Sequence, residues 1–325
     1  MKVAFHSYQL GERGTEICLY KYAKYNREIL GNESIIVSTS SRPTATLERF
    51  NKEFKTILYP DIWINDGKND KLRSTLEKTV SQENVDVFYA IKGGEDDGIM
   101  PKNCKSVAHA VFRTDTPHGD VYAGVCKYIV DKHGGNHPFV DHIVEKIQPT
   151  ESLRAKLNIP QDALVFGRHG GKDTFSIPFV KDAVKAAVIN RKDVYFLFLN
   201  TQKFADHDRI IHLPWTKDLI EISNFVNTCD AMLHARMEGE IFPLVVAEFA
   251  TQNKPIITWD SFDPIYDRGH IEILKDKGIY YKNSQDLLTI LISLNKDNIK
   301  NIDWDVYKDD YSPSKVMGQF KRIFL

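Results

Sequence analysis

Short apolar runs alternate with helical segments along the chain, and this alternation is the feature that most constrains the fold. The runs are nearly unbroken in apolar character, which is typical of strands buried on both faces of a parallel sheet. Two series occur, MKVAFHS, SIIVST, VDVFYAI, SVAHAVF and KYIVD, and then ALVFGR, VYFLFLN, RIIHL, DAMLHA and PIITWD. The alternation predicts an α/β fold with two doubly wound, Rossmann-like domains.

The chain length and a polar central segment predict where the two domains divide. At 325 residues the chain exceeds one typical domain. Residues 145–162 carry two prolines and little strand character, as a linker does. We predict an N-terminal domain at 1–147 and a second domain at 148–310, facing each other across a cleft. Residues 311–325 combine a serine cap signal, an early proline and an apolar face, so we expect a closing helix that packs back on the first domain.

Composition and charge exclude several classes of protein. The net charge of −1 gives no global attraction to nucleic acid, and 42% hydrophobic residues are ordinary for a globular chain. The four cysteines lack paired spacing, and neither a signal peptide nor a spanning apolar run is evident. We therefore expect a cytoplasmic protein with small-molecule partners. Basic residues in the helix at 15–30 leave weak peripheral membrane contact open, although a solvated helix face explains them equally.

The segment EGEIFPLVVAEF places Glu240 and Glu248 at the two ends of an apolar run. Pro243 suits a first helical position, and a helix running to about Gln252 with Asn253 as a left-handed cap would be packed on almost every side. A buried carboxylate at Glu248 needs donors, such as a basic side chain or the hydroxyls of a ribose.

The spacing of the two acids fits one extended ligand. An anion binds well at the start of a helix, but Glu240 would repel it unless Glu240 faces a hydroxyl-bearing part of the same molecule. The pattern therefore favours a ribose at Glu248, a diphosphate at the helix start and a sugar at Glu240. The alternative is that Glu248 points outward between helices and Glu240 is a turn acid.

The stretch LHARMEGEIFPLVVAEFATQNKPIITWD resembles the donor-binding segment of family 4 glycosyltransferases, which have the GT-B fold. Glu240, Glu248 and the aromatic Phe242 match the family motif, and NKPII matches the start of the strand that follows it. Ile241 and Pro243 stand where the family usually has glycine. The resemblance implies that Ile241 and Phe242 lie beside the donor diphosphate at the helix start.

The same resemblance implies further donor-binding residues. ALVFGRHGGKDTF is similar to the family's strand ending in Gly-Arg, whose Arg and following Lys hold the diphosphate, here Arg168 and Lys172. From the residues alone, HGGKD is either a loop that cradles an anion or a simple tight turn. GERGTE resembles the family's first glycine loop, with Gly14 and Glu16 matching it.

Histidines in the first half are candidates for catalysis and acceptor binding. His109 lies near the end of an apolar strand, and a family histidine after such a strand contacts the donor sugar or the leaving phosphate, so His109 is predicted to be catalytic together with Glu240. Its alternative role is a hydrogen-bonded core residue. His118, in the turn DTPHGD, and Asp115 are predicted acceptor-side contacts. His118 could equally be an exposed loop residue.

The most histidine-rich segment could supply metal ligands, but its pattern does not favour a metal site. Glycines and a proline interrupt the most histidine-rich segment, so no helix aligns its side chains, and we expect these residues to shape a loop. The Asp-x-Asp pairs at 206–208 and 303–305 do not directly follow a strand and are interpreted as solvated loop acids. The potential zinc ligands in that segment are His133, His137, His142, Cys126, Asp131 and Asp141.

The leading hypothesis is a retaining GT-B glycosyltransferase that needs no metal or other cofactor. It would move a sugar from a nucleotide-diphosphate donor to a hydroxyl of a glycan, a glycolipid or another acceptor. A nucleotide-sugar epimerase or phosphorylase on the same fold is one alternative. A non-catalytic nucleotide-sugar or glycan-binding protein is the other, because Ile241 and Pro243 replace the usual glycines.

Overall fold

Two parallel sheets form the framework of the chain. The described residues divide into two units, Met1–Ile143 with Asp310–Leu325, and Val144–Asp309. The computed structural model describes residues 1–11, 13–40, 46–60, 69–261 and 263–325.

The first unit contains a sheet whose strands, within the described residues, have the order β3-β2-β1-β4-β5-β6, all parallel. Its topological switch point, where the strand order reverses, lies between β1 and β4. The elements are β1 (Lys2–His6), α1 (Gly14–Glu28), β2 (Glu33–Thr39), α2 (Leu47–Glu53), β3 (Lys55–Tyr59), α3 (Asp70–Glu83), β4 (Val87–Lys92), β5 (Lys105–Ala110), β6 (Val121–Gly124) and α4 (Lys127–Lys132).

The second unit repeats this arrangement with the strand order β9-β8-β7-β10-β12-β14, and its switch point lies between β7 and β10. The short strands β11 and β13 form a separate parallel ladder. The elements are β7 (Leu164–Arg168), α5 (Pro178–Asn190), β8 (Val194–Leu199), β9 (Ile210–Leu213), α6 (Leu219–Thr228), β10 (Ala231–His234), β11 (Gly239–Glu240), α7 (Leu244–Ala250), β12 (Ile256–Trp259), β13 (Asp267–Arg268), α8 (Gly269–Leu274), a 3-10 turn (Lys275–Lys277), β14 (Gly278–Tyr281), α9 (Ser284–Ser293) and α10 (Lys296–Ile299).

The last helix, α11 (Pro313–Phe324), belongs to the first unit. Phe320 on its buried face packs against the ring of Tyr89 at a centroid distance of 5.2 Å and against Tyr22 at 5.5 Å. Phe324 is also fully buried. Burying these two rings removes apolar surface from water, which is the main driving force that holds the helix in place.

The predicted class, two Rossmann-like domains, is confirmed by the two sheets, but some predicted elements differ. KYIVD is not a strand: it forms α4, which buries Ile129 and Val130 and leaves Lys127 and Asp131 exposed and paired. An apolar run this short does not distinguish a strand from a helix by its periodicity. The strands β3, β6, β11, β13 and β14 are absent from the predicted series.

The predicted linker is packed against the second unit. Residues 145–162 contain no helix or strand, although every one of them is described. Arg154 is nevertheless buried, and its guanidinium donates to the carbonyls of Pro160 and Ala163 and pairs with Asp230 at 2.7 Å. A buried and fully engaged arginine fixes this segment in place.

The basic residues of α1 make protein contacts. Lys21 donates to the carbonyl of Ile143 at 3.2 Å, and Arg27 pairs with Glu53 at 2.8 Å. Within the described residues, no helix is both long enough and apolar enough to cross a bilayer.

Candidate functional site

The switch point of the second sheet collects polar side chains at the carboxyl ends of two neighbouring strands. β7 ends at Arg168 and continues into His169, while β10 ends at His234 and leads to Arg236 and Glu240. Because β7 and β10 are parallel neighbours, these side chains start from the same edge of the sheet. Ligands of doubly wound sheets bind at such an edge.

Glycines hold the segment that carries Glu240 close to the chain after β12. Gly239 has φ +71°, and a Cβ at this position would lie 1.8 Å from the carbonyl oxygen of Asp267. A Cβ at Gly269 would lie 1.9 Å from the carbonyl oxygen of Ile241. The backbone approach that needs glycine therefore occurs at 239 and 269, not at the two positions where the family usually has it.

Glu240 is held as a carboxylate by two basic neighbours. Its side chain is 15% exposed, its Oε2 accepts from Arg236 Nη1 at 2.9 Å, and its Oε1 lies 3.6 Å from His234 Nε2. Burial alone would raise the pKa of Glu240, but His234 and Arg236 outweigh that effect and lower it. The side chain is thus an acceptor of hydrogen bonds at neutral pH.

A second histidine stands behind the first. The His234 ring lies 5.0 Å from the ring of His270, and His234 Nδ1 lies 2.8 Å from Thr258 Oγ1. Burial, with His234 nearby, holds the pKa of His270 well below its usual range, so this ring is neutral. Among the described residues, neither His234 Nε2 nor His270 Nδ1 finds a hydrogen-bond partner, although both atoms are buried. Buried polar atoms without partners are rare in folded proteins, so these two nitrogens are candidates for contacts with a ligand.

The helix that carries Glu248 differs slightly from the prediction. α7 begins at Leu244, with Pro243 as the residue that caps it, and ends at Ala250 rather than near Gln252. Pro243 has ψ 85°, which is outside the helical range. The predicted left-handed cap is confirmed, because Asn253 has φ +58°.

Glu248 meets a histidine that the sequence analysis did not assign. His169 Nε2 lies 2.7 Å from Glu248 Oε2, close enough for an ion pair, but the two atoms are not aligned as a hydrogen bond. The Glu248 side chain is 36% exposed and that of His169 is 7% exposed. The basic side chain expected beside this acid is therefore found within the chain itself. Its position directly after the first strand of the second series is the sequence signal that points to it.

The two residues expected to hold a diphosphate are placed very differently. Arg168 is buried, and its terminal nitrogens donate to the carbonyls of Asn200 and Gly171 and to the hydroxyls of Thr201 and Thr174. Burial lowers the pKa of Arg168 to about 10, an effect that nearby Glu240 partly opposes. Lys172, four residues later, is exposed. Arg168 thus braces the loop from which Lys172 projects.

Other predicted donor-side residues surround the start of α7 or belong to the first unit. Ile241 is half-buried, and Phe242 is buried with its ring 6.4 Å from that of Tyr307. Gly14 is the first residue of α1 and is half-buried. Glu16, in the same helical turn, is buried, and its Oε2 has no hydrogen-bond partner among the described residues.

The structure places His109 in the core, as in the alternative to its predicted catalytic role. It is fully buried in β5, with Nδ1 2.6 Å from the Tyr89 hydroxyl and Nε2 2.9 Å from the carbonyl oxygen of Val140. Burial lowers its pKa to about 4, so the ring is neutral. Both ring nitrogens are engaged within the protein, which leaves His109 no atom for a substrate. This placement does not support its predicted catalytic role.

The predicted acceptor-side residues lie in one loop of the first unit. His118 is half-buried, with Nδ1 2.8 Å from the carbonyl of Thr116. Its Nε2 is buried and, within the described residues, lacks a hydrogen bond. Asp115 is exposed and accepts from Arg113 Nε at 2.6 Å, and this guanidinium lowers the pKa of Asp115 to about 2.

The potential metal ligands are dispersed. His142 is buried beside the Tyr22 hydroxyl, whereas the His137 ring lies 5.1 Å from that of Tyr122. Asp206 and Asp303 form surface ion pairs with neighbouring lysines. Across the described ranges, no group of three or more His, Cys, Asp or Glu side chains is arranged to hold a metal ion.

Solved structures share this architecture over nearly the whole chain. HepE of Anabaena, in complex with UDP and glucose, has a TM-score of 0.72 at 15% identity and covers 99% of this chain and 98% of its own. The lipopolysaccharide outer core galactosyltransferase WaaB, in its apo form, has a TM-score of 0.69 at 13% identity and covers 99% of each chain. A putative UDP-N-acetylglucosamine 2-epimerase of Listeria monocytogenes has a TM-score of 0.56 at 15% identity and covers 98% of this chain and 93% of its own.

These similarities establish the fold, which is the pair of Rossmann-like domains found in GT-B glycosyltransferases. No protein-family model matches the sequence, and no curated protein matches it significantly.

Proposed function

We propose that this chain is a glycosyltransferase that moves a sugar from a nucleoside-diphosphate donor to a hydroxyl acceptor. One observation carries the proposal. Glu240 and Glu248 both lie at the carboxyl edge of the second sheet, and each stands beside a buried histidine, His234 or His169, whose Nε2 has no hydrogen bond in the described chain. HepE, which shares the fold, was solved with UDP and glucose, and this supports a nucleotide-sugar donor.

The two carboxylates bind different parts of the donor. Glu240, kept ionised by Arg236 and His234, accepts hydrogen bonds from hydroxyls of the transferred sugar. Glu248 accepts from the ribose. Hydroxyls are the partners that suit these acids, because an ionised carboxylate has acceptors only and repels a phosphate.

The leaving diphosphate is stabilised from the loop after β7. Lys172 is exposed on this loop, and Gly170 and Gly171 allow backbone N–H groups to approach an anion. Arg168 contributes indirectly by holding this loop in place, because its terminal nitrogens already donate to protein oxygens. Stabilisation of developing charge by fixed donors is commonly the largest contribution to such catalysis. The proposed reaction requires no metal, so transfer should persist in EDTA.

The finer features of the proposal rest on the family resemblance. We propose that the anomeric configuration is retained and that the acceptor is a hydroxyl of a glycan or a lipid-linked glycan. His118 and Asp115 are the proposed acceptor contacts, and the buried His118 Nε2 is the stronger of the two candidates.

A donor screen followed by transfer assays tests the proposal. Nucleoside diphosphates and their sugars are screened by thermal shift, because a ligand that binds the folded state raises the unfolding temperature. Affinity and turnover are then measured for Glu248→Gln and Glu240→Gln, with Glu272→Gln as the matched control, because Glu272 is exposed on α8 of the same unit. We expect Glu248→Gln to weaken donor binding about tenfold and Glu240→Gln to lower turnover more than affinity. Unchanged binding and turnover in both variants would refute the assignment.

A nucleotide-sugar epimerase is the second candidate, because the putative epimerase of Listeria monocytogenes shares the fold. NMR of the donor incubated without acceptor separates the two functions. An inverted centre in the donor sugar identifies epimerisation, whereas an intact donor that is consumed only when an acceptor is present identifies transfer. Donor binding without either reaction identifies a binding protein.

A further inference from the structure

We propose that His169 is a positioning residue that fixes Glu248 so that a single carboxylate oxygen faces the ribose. This inference rests on the proposed function and deepens it, because it concerns how the nucleoside is selected at the same site. It follows from the environment of His169, from the division of the Glu248 carboxylate into two unlike oxygens, and from the hydrogen bonds that a ribose can form there.

The His169 ring has little freedom to turn. It stacks on Phe249 at a centroid distance of 5.8 Å and an interplanar angle of 23°, and it meets Phe225 edge-on at 6.1 Å. Its side chain is only 7% exposed. The residue follows β7 directly, so the sheet also fixes its backbone. A ring packed in this way presents its nitrogens in a defined direction.

The Glu248 carboxylate has one oxygen turned toward that ring and one turned away from it. Oε2 is buried and lies 2.7 Å from His169 Nε2, and neither atom has a hydrogen bond to any other part of the described chain. The side chain as a whole is 36% exposed, and Oε1 is its accessible oxygen. The close contact with the imidazole therefore restricts the rotamers of the acid and leaves Oε1 to a ligand.

This arrangement changes how a ribose can bind. A free carboxylate accepts from both hydroxyls of a diol, with one hydrogen bond to each oxygen. With Oε2 covered by His169, Glu248 accepts from one hydroxyl only, and the other hydroxyl contributes much less. Fixing the acid beforehand also reduces the conformational entropy lost on binding. The wild-type protein should therefore depend strongly on one ribose hydroxyl and weakly on the other.

Two substitutions separate positioning from packing. His169→Leu keeps an apolar side chain against Phe249 and Phe225 but removes the nitrogen that faces Glu248. His169→Gln keeps an amide donor near the position of Nε2. The probe is UDP, or whichever nucleoside diphosphate binds best in the screen, compared with its 2′-deoxy and 3′-deoxy analogues by isothermal titration calorimetry.

We expect wild type to lose about tenfold in affinity for one deoxy analogue and less than about threefold for the other. His169→Leu should weaken binding of the parent nucleotide about tenfold and make the two analogues equivalent. His169→Gln should restore the asymmetry. In a double-mutant cycle, His169→Leu should have little further effect once Glu248→Gln is present, because the histidine acts through that acid.

Different results would overturn the role of His169 and the proposed function. Equal losses for the two analogues in wild type, or an unchanged asymmetry in a folded His169→Leu, would overturn the role of His169 while leaving the proposed function standing. If His169→Leu does not fold, His169→Phe takes its place, because it keeps a ring against Phe249 and Phe225 without a ring nitrogen, and an unchanged asymmetry in that variant would overturn the role of His169 equally. A wild-type protein that binds no nucleoside diphosphate would overturn the proposed function, and this inference with it.

Discussion

Arg236 joins two acids of the same segment, because its Nη1 lies 2.9 Å from Glu240 Oε2 while its Nε lies 3.5 Å from Glu238 Oε2. Burial would lower the pKa of Arg236, but the two carboxylates raise it, so the guanidinium stays charged. Glu240 in turn depends on this charge, because burial of a carboxyl without a cationic neighbour favours its protonated form. The ionisation of Glu240 thus depends on His234 and, in addition, on Arg236, four positions earlier in the chain.

Replacing Arg236 should shift the pH dependence of transfer. Arg236→Met removes one of the two neighbours that lower the pKa of Glu240. The effect of burial, which raises this pKa, then counts for more, so the pKa of Glu240 rises from its lowered value. The carboxylate is then lost at a higher pH as the solution is acidified, and the acid limb of kcat/KM should move to higher pH. The pH profiles of wild type and Arg236→Met provide the measurement. An acid limb in the same place would mean that Glu240 ionisation does not control the reaction.

Gly239→Ala should damage the site through the backbone. The new Cβ would meet the Asp267 carbonyl at 1.8 Å, and the positive φ adds strain, so we expect a loss of about 2 kcal/mol or more in the free energy of unfolding. Tryptophan fluorescence during urea unfolding reports this unit, because three of the four tryptophans, at 215, 259 and 304, lie within it.

Two glycines of the first unit provide comparisons for this prediction, and hydrogen exchange of amides in β1 and β4 measures their stability. Gly134 also has a positive φ, +65°, but a Cβ there would meet nothing within 4 Å, so Gly134→Ala isolates the cost of the backbone conformation at about 1 kcal/mol. Gly318 lies inside α11 with open space around it, and Gly318→Ala should stabilise the protein by about 0.5–1 kcal/mol. If Gly239→Ala costs no more than Gly134→Ala, the close approach to Asp267 has no energetic importance.

We expect substitutions of Arg168 to change the stability of the protein and substitutions of Lys172 to change its affinity for the ligand. Lysine cannot reproduce the fork of donors that Arg168 directs at Asn200 and Gly171, so Arg168→Lys should cost roughly 2–4 kcal/mol of unfolding free energy. Lys172→Ala should change stability by less than about 0.5 kcal/mol but weaken nucleoside-diphosphate binding about tenfold. Urea unfolding and calorimetry measure the two effects. If both substitutions weakened binding equally and neither changed stability, these separate roles of Arg168 and Lys172 would be contradicted.

Asp141 should make the first unit less stable as the pH rises. Burial raises the pKa of its carboxyl to about 6, with Gln319 opposing and Asp310 adding to the shift. Between about pH 4 and pH 6 the unfolded chain releases this proton while the folded chain keeps it, so stability falls by about 3 kcal/mol across that range. Asp141→Asn should therefore be more stable than wild type at pH 7 and nearly equal to it at pH 4.

Hydrogen exchange of amides in β1 and β4 measures this effect in the first unit, where described tryptophans are absent. Asp131→Asn is the control, because Asp131 is exposed in the same part of the chain and pairs with Lys127. A stability difference between Asp141→Asn and wild type that does not change with pH would exclude titration of Asp141 as the cause.

Much of the fold could be predicted from the sequence because strands buried on both faces appear as nearly continuous apolar runs. Runs such as ALVFGR and VYFLFLN correspond to β7 and β8, which are inner strands of the second sheet. GIYY, the edge strand β14, is only partly buried, and KTILY at β3 is likewise half-exposed, so neither shows a continuous apolar run. Partly exposed edge strands such as these are elements that this kind of pattern can miss, although the edge strand β9 was predicted from RIIHL.

The candidate site was predictable only where its residues are close in sequence. Glu240 and Glu248 belong to one turn and one helix, and their spacing was visible. His169 reaches Glu248 from the end of a different strand, 79 positions earlier, and the need for Gly239 depends on the carbonyl of Asp267. Such pairings are determined by the order of strands in the sheet, which the apolar periodicity does not specify.

Helix α11 has a consequence for synthesis of the protein. Val144–Asp309 is a continuous stretch and can complete its structure as soon as it has left the ribosome. The sheet begun by Lys2–His6 lacks the cover of Phe320 and Phe324 until the last helix has been made, because those rings pack on Tyr89. The part of the chain that is translated first is therefore the part that finishes folding last, and until then its uncovered aromatic surface is open to chaperones and to aggregation.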